Sequence, residues 1–133
     1  MTATEVTPDY LRQMPLPDPE EGDKKARGNV LVVAGGRNVP GGALLAGVAA
    51  LRAGAGRLQI ATCVSSASAL AVAAPEALVL GLPETPAGGI DPAAVPQLMS
   101  LLESADAVLV GPGMQDEDAS TAVVQTYRVK RTA

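Results

Sequence analysis

Apolar residues in this chain come in short runs separated by glycine and proline, and the period within the runs switches between that of a strand and that of a helix. Asn29-Val-Leu-Val-Val-Ala34 is a β-branched run with apolar residues on both faces. That is the pattern of a parallel strand covered by helices on each side, and it predicts complete burial. Over residues 42–53, Leu44, Leu45, Val48 and Leu51 recur at helical spacing, and Gly54-Ala55-Gly56 supplies the stop. Arg57-Leu-Gln-Ile-Ala-Thr62 alternates as a second strand. Ser65 or Ser66 is placed to cap a helix running to about Ala73, and Ala77-Leu-Val-Leu80 reads as a third strand. The prolines and glycines of 81–90 predict a loop, and Asp91-Pro92 opens a helix that continues over 95–104. Residues 105–110 read as the fourth strand, closed by Gly111-Pro112-Gly113. A last helix starts near Asp116 or Asp118, where acids suit the positive end of its dipole. Strands alternating with helices through right-handed crossovers give an α/β fold, an open parallel sheet with helices on both faces. Residues 1–28, broken by Pro8, Pro15, Pro17 and Pro19, read as a lead-in segment with one helical turn, and 29–133 as the α/β domain.

Composition narrows the picture. The 133 residues suit one domain, and 47% are hydrophobic with no Phe or Trp and only Tyr10 and Tyr127 as aromatics. The core must be built from small aliphatic side chains, which implies close packing of helices on the sheet. A net charge of −4 and only two short basic clusters (Lys24, Lys25, Arg27 and Arg128, Lys130, Arg131) argue against a nucleic-acid partner. Those clusters read first as solvated faces. Cys63 is the single cysteine, so no internal disulfide forms. The N-terminus is too polar for a secretory signal, and no apolar run is long enough to span a membrane. The expected setting is soluble, reducing and cytoplasmic. With no histidine, the chain cannot itself build a Ser-His-Asp triad, a Cys-His pair or a histidine zinc site.

The feature that invites chemistry is Gly35-Gly36-Arg37-Asn38-Val39-Pro40-Gly41-Gly42, between the first strand and first helix of the domain. In open α/β sheets ligands bind beyond the C-terminal strand ends, and free N–H groups at a helix start hold anions or polar atoms. A tight strand-to-helix connection explains the same glycines equally well. The turn is not a P-loop, because Gly42 and Ala43 stand where Lys and Ser/Thr are needed, and no G-x-G-x-x-G follows the strand. Gly111-Pro112-Gly113 lies at the same sheet edge, so the two turns should flank a cleft. Asp106 reads as a polar strand entry and Glu76 as either a cleft residue or a strand cap. Asp116, Glu117 and Asp118 read as helix-starting acids in preference to metal ligands.

The ordered blocks Lys25-Ala-Arg27-Gly28-Asn-Val-Leu-Val-Val-Ala-Gly35-Gly36, Pro40-Gly41-Gly42-Ala43-Leu-Leu-Ala, Ala49-Ala50-Leu51-Arg52-Ala-Gly54-Ala-Gly56, Pro75-Glu76 and Val110-Gly111-Pro112-Gly113 resemble the NAD(P)H-hydrate dehydratases. These are ribokinase-like, three-layer proteins of the carbohydrate kinase family, also found as the C-terminal domain of bifunctional NAD(P)H-hydrate repair enzymes. The resemblance spans about residues 11–118. It implies repair of hydrated NADH or NADPH, driven by ADP or ATP with Mg2+, through phosphorylation of the substrate hydroxyl and loss of phosphate. It also implies Gly42, Ala43, Gly111 and Gly113 as substrate-binding residues. Two departures stand out: Gly42 occupies a position where Ala is common, and Met114-Gln115 stands where members often continue Leu-Gly. The Thr-Pro-His, Lys-Gly and Gly-Thr-Gly-Asp segments that the family places at the substrate, nucleotide phosphates and catalytic aspartate do not occur in this sequence. No catalytic residue or metal ligand is therefore assigned. The expectation is a ribokinase-like sheet cut off after about four strands, inactive alone, with Val108 and Val110 partly open and an unusual tail over 126–133, such as a frameshift or premature stop would leave. Two alternatives remain, a non-catalytic module whose open sheet edge is covered by a second copy and a fragment of a ribokinase-like kinase for a hydroxymethylpyrimidine-like or sugar substrate.

Overall fold

The computed structural model describes residues 4–14 and 27–131. Pro15, Pro17, Pro19, Lys24 and Lys25 of the lead-in lie outside them, and its helical turn is α1 (Pro8–Arg12), started by Pro8 and by the Thr7 hydroxyl, which accepts the Tyr10 N–H. Four parallel strands, β1 (Asn29–Val33), β2 (Arg57–Cys63), β3 (Ala77–Leu82) and β4 (Ala107–Val110), form one sheet in the order β3-β2-β1-β4. Helices α2 (Gly41–Arg52), α3 (Val64–Ala73), α4 (Val95–Ser104) and α5 (Glu117–Arg131) complete the domain, with a 3-10 turn at Pro92–Ala94 leading into α4.

The pleat of β1 sorts the core into two clusters. Leu31 and Val33 meet Ala61, Cys63, Leu82 and, from α4 and α5, Leu98 and Val123. Val32 and Ala34 turn the other way, toward Leu58, Ile60, Leu70 and Ala43 on the side of α2 and α3. This is a three-layer α/β/α arrangement, and residues such as Leu31 and Ile60, with no exposed surface, contribute about 1.5–3 kcal/mol each. Burial of β1 is complete only from Leu31 onward; Asn29 and Val30 begin the strand half-buried.

The helix of residues 42–53 forms, and Leu44 and Leu51 of its stripe pack partly buried against the core, but small residues make its closest approach to the sheet. Ala43 and Gly47 are its buried positions, and a Cβ at Gly47 would come within 3.0 Å of Leu58 Cδ2 and 3.1 Å of Ile60 Cδ1. Leu45 is 73% exposed. Neither serine caps α3, whose N-cap is Cys63: Ser65 gives its hydroxyl and its N–H to Glu84, and Ser66 donates to the Gly36 and Arg37 carbonyls. β3 runs on through Gly81 to Leu82, and an antiparallel bridge between Glu84 and Ile90 narrows the expected loop. Asp91 starts the next helix as its sequence suggests, accepting the Ala93 N–H at 2.8 Å. β4 begins only at Ala107, because Asp106 instead ties to Asn29 through both backbone and carboxylate. α5 continues to Arg131, through most of the tail that its composition had set apart.

Topology positions the site. From β1 to β3 the chain steps outward in one direction, with α2 and α3 on one face. It then returns past β2 and β1 to place β4 on the far side of β1, with α4 on the opposite face. The reversal falls between β1 and β4. Among the described residues β4 has a strand neighbour only on its β1 side; Val108 and Val110 are half-buried and Leu109 is 38% exposed.

Candidate functional site

The point where strand order reverses in an open α/β sheet is where ligands bind, because the two flanking loops diverge there. Here those loops are the Gly35–Gly42 turn after β1 and the Gly111–Gly113 turn after β4. They meet backbone to backbone. The Gly35 N–H donates to the Pro112 carbonyl at 2.8 Å, and the Gly111 N–H donates to Val33 at 3.1 Å. A Cβ at Gly113 would lie 2.6 Å from the Val39 carbonyl oxygen, and one at Gly42 would lie 2.8 Å from that of Pro112. A Cβ at Gly35, whose φ is +76°, would lie 3.0 Å from the Thr62 hydroxyl, which is buried with no hydrogen-bond partner among the described residues.

Behind this contact the first turn of α2 is left open. Its N-cap is Pro40, no side chain caps it, and a Cβ at Gly41 would meet nothing within 4 Å. The first N–H groups of a helix lack internal partners and carry the positive end of the dipole, so this end can hold an anionic or carbonyl oxygen. Gly42, Gly111 and Gly113 are thus brought together. Ala43 is fully buried beneath them, its methyl packed into the layer of Val32 and Ile60. Gly111 also borders an open groove of about 650 Å³ with Met114, Asp116, Ser120 and Thr121.

A third loop, 83–90, joins the site, and its residues carried no motif. Arg37 donates from Nε and Nη2 to Glu84 Oε1 at 3.0 and 2.8 Å, and to the carbonyls of Pro86 and Thr85. Glu84 Oε2 accepts the Ser65 hydroxyl at 2.7 Å. The Ser65 hydroxyl first and Arg37 second hold the Glu84 carboxyl below the usual glutamate range. Asp116, in the left-handed region at φ 66°, accepts the Thr85 hydroxyl at 2.7 Å and the Ala119 N–H at 3.2 Å, and these two bonds lower its pKa. It is the cap of α5. Gln115 Oε1 accepts the Asn38 N–H at 2.9 Å. Cys63 lies under the loop, its Sγ 3.4 Å from the Gly88 carbonyl, and burial followed by the charge of Glu84 raises its pKa. The one signal for this network in the sequence was an arginine inside a glycine turn, which needs an acceptor at short range.

Glu76 and Asp106 stand apart from the glycine turns. They line a polar groove of about 640 Å³ at the N-terminal strand ends with Arg57 and Gln59, so Glu76 belongs to a strand entry. Among the described residues no group of three or more His, Cys, Asp or Glu side chains is arranged to hold a metal. Each Asp116 oxygen accepts one hydrogen bond, Oδ2 from Thr85 and Oδ1 from Ala119, as suits a helix cap. The described residues thus include no such cluster for Mg2+, and no step is derived through a metal–nucleotide pair.

The family model described as NAD(P)H-hydrate dehydratase matches residues 30–133. This chain belongs to the NAD(P)H-hydrate dehydratase family. It is 49% identical over 120 residues to an ADP-dependent (S)-NAD(P)H-hydrate dehydratase of Xanthomonas campestris pv. campestris, covering 90% of this chain and 41% of that enzyme. It is 36% identical over 104 residues to the bifunctional NAD(P)H-hydrate repair enzyme Nnr of Moorella thermoacetica, covering 78% of this chain and 20% of that one. A ribokinase-like superfamily protein of Enterococcus faecalis superimposes with a TM-score of 0.72 at 23% identity, over 94% of this chain and 40% of its own, and so shows the fold. The ADP/ATP-dependent NAD(P)H-hydrate dehydratase of Bacillus subtilis, co-crystallized with ATP/Mg2+, gives 0.67 at 26% identity over 90% and 40%. The ribokinase-like α/β class expected from the sequence therefore stands, and the chain spans about two-fifths of the length of its dehydratase relative from Xanthomonas. No helix among the described residues is long and apolar enough to cross a membrane.

Proposed function

We propose that residues 29–133 supply the substrate-side wall of an ADP-dependent (S)-NAD(P)H-hydrate dehydratase, and that this chain alone does not complete the reaction. The observation that carries the reading is the uncapped start of α2 at the β1/β4 reversal, beside the interlocked glycine turns, in a chain 49% identical to such an enzyme. Gly42 and the Gly111–Gly113 turn offer backbone to the hydrated nicotinamide nucleotide, and Ala43 supports them from below. The Gly-Thr-Gly-Asp segment expected to carry the catalytic aspartate is not in this sequence, nor are the nucleotide-phosphate segments that would hold ADP and Mg2+. The substrate is a small molecule of the cytoplasm, with neither nucleic acid nor membrane as partner.

The purified chain should gain thermal stability with (S)-NADPH hydrate, because a ligand that binds only the folded state stabilises it. With ADP and Mg2+ added it should form no NADPH, followed by absorbance. Turnover above background would overturn the inactivity. A stabilisation by hydroxymethylpyrimidine-like or sugar alcohols but not by the hydrate would favour a kinase parent instead. Among the described residues β4 is paired on one side only, and this with the exposed Leu109 favours a second reading in the same molecule, self-association through that edge.

A further inference from the structure

Gln115 sits where three loops meet and is fixed at both ends. Its carbonyl accepts the Ser120 hydroxyl at 3.2 Å and lies so close to Gly89 that a Cβ there would be 2.2 Å away. Its side chain covers Gly36: a Cβ at Gly36 would be 2.7 Å from Oε1 and 2.8 Å from Cγ. Oε1 takes the Asn38 N–H at 2.9 Å. Because that N–H is a donor, the amide oxygen must face it, and the two hydrogens on Nε2 are turned away. No acceptor among the described residues takes them.

We propose that Gln115 is a specificity-determining residue of the glycine-turn site, an inference that rests on the function proposed above. A turn of this kind ordinarily offers its own N–H groups to a ligand. Here the Asn38 N–H is taken, and the half-buried Gln115 carries a neutral side-chain donor beside it. The site then selects an acceptor oxygen, carbonyl or phosphate, on the bound dinucleotide.

Two substitutions in the full chain separate this role from a structural one. Gln115→Glu keeps an acceptor for Asn38 and removes the outward donors; Gln115→Ala removes both. Amide hydrogen exchange at Asn38, read without ligand, should accelerate about tenfold or more in Gln115→Ala while Gly35, bonded to Pro112, is unchanged. In Gln115→Glu the Asn38 amide should stay protected. Titration with (S)-NADPH hydrate should nevertheless show Gln115→Glu binding about tenfold or more weakly than wild type, with the loss reduced by salt. Equal affinity of wild type and Gln115→Glu, or unchanged Asn38 exchange in Gln115→Ala, overturns the inference and leaves the proposed function standing. A wild-type chain that protects Asn38 yet binds no hydrate overturns the proposed function and this inference with it.

Discussion

The glycine interlock can be tested by replacing Gly41, Gly111 and Gly113 with alanine one at a time, since the three positions separate the terms that make a glycine necessary. At Gly41 neither applies: φ is ordinary and a Cβ meets nothing within 4 Å. Alanine in the first turn of a helix should then stabilise by about 0.5–1 kcal/mol, mostly by restricting the unfolded chain. At Gly111 the space is equally open but φ is +130°, a region costly for any side chain, so a loss of about 1–3 kcal/mol is expected. At Gly113 φ is +73° and the new Cβ would stand 2.6 Å from the Val39 carbonyl, a backbone atom that moves only if the whole turn moves. The left-handed conformation costs about 1–2 kcal/mol and overpacking about 1–3, which together give a loss of about 2–5. Urea denaturation followed by circular dichroism gives the three values, provided the slope of the transition is unchanged. The ranking Gly41→Ala above wild type, with Gly113→Ala at the bottom, is the expected result. A Gly113→Ala protein as stable as wild type would refute the contact between the turns, and with it the shape assigned to the site.

Glu84 predicts a pH dependence. Its carboxyl is depressed in the folded chain by the Ser65 hydroxyl and Arg37, so the stabilisation is present above the unfolded value and lost as pH falls through the folded one. Melting temperatures should therefore drop below about pH 4.3, and Glu84→Gln should flatten that drop while lowering stability at pH 7; an unchanged acid limb in Glu84→Gln would count against the hydrogen bonds of Glu84 to Ser65 and Arg37. Self-association through β4 predicts sedimentation as a dimer or larger, reversed by Leu109→Lys on the exposed edge. A clean monomer at high concentration removes that reading.

The sheet was legible because its rules are local and repetitive. A β-branched run such as Val30–Val33 has one sensible partner arrangement once a helix follows it, and the crossover hand does the rest. Errors came where long-range contacts override local signals. Leu45 fits helical spacing, yet the sheet approaches α2 through Gly47, so close packing selects the small face and leaves the leucine in solvent. Ser65 is a plausible cap by type, but a carboxylate nineteen residues away in sequence is the stronger acceptor. Residues 83–90 read as featureless because their order depends on Arg37 and Asp116, which lie far off in the chain.

The glycine turn itself was open to two readings, a tight connection or a ligand loop, and the structure divides it between them by residue. Gly42 and Gly113 are explained by backbone contact, each letting one turn rest on the other, and Gly35 by its positive φ and the Thr62 and Ala43 side chains beside it, with or without a ligand. Gly41 is not explained that way, because nothing is near it and alanine would suit the helix better. A glycine that costs stability and relieves no contact in the folded chain leaves room for a group from outside to approach closely, and the open end of α2 suits an acceptor oxygen there. Under the proposed function, Gly41 would be the point of close approach, beside the backbone that Gly42 and the Gly111–Gly113 turn offer.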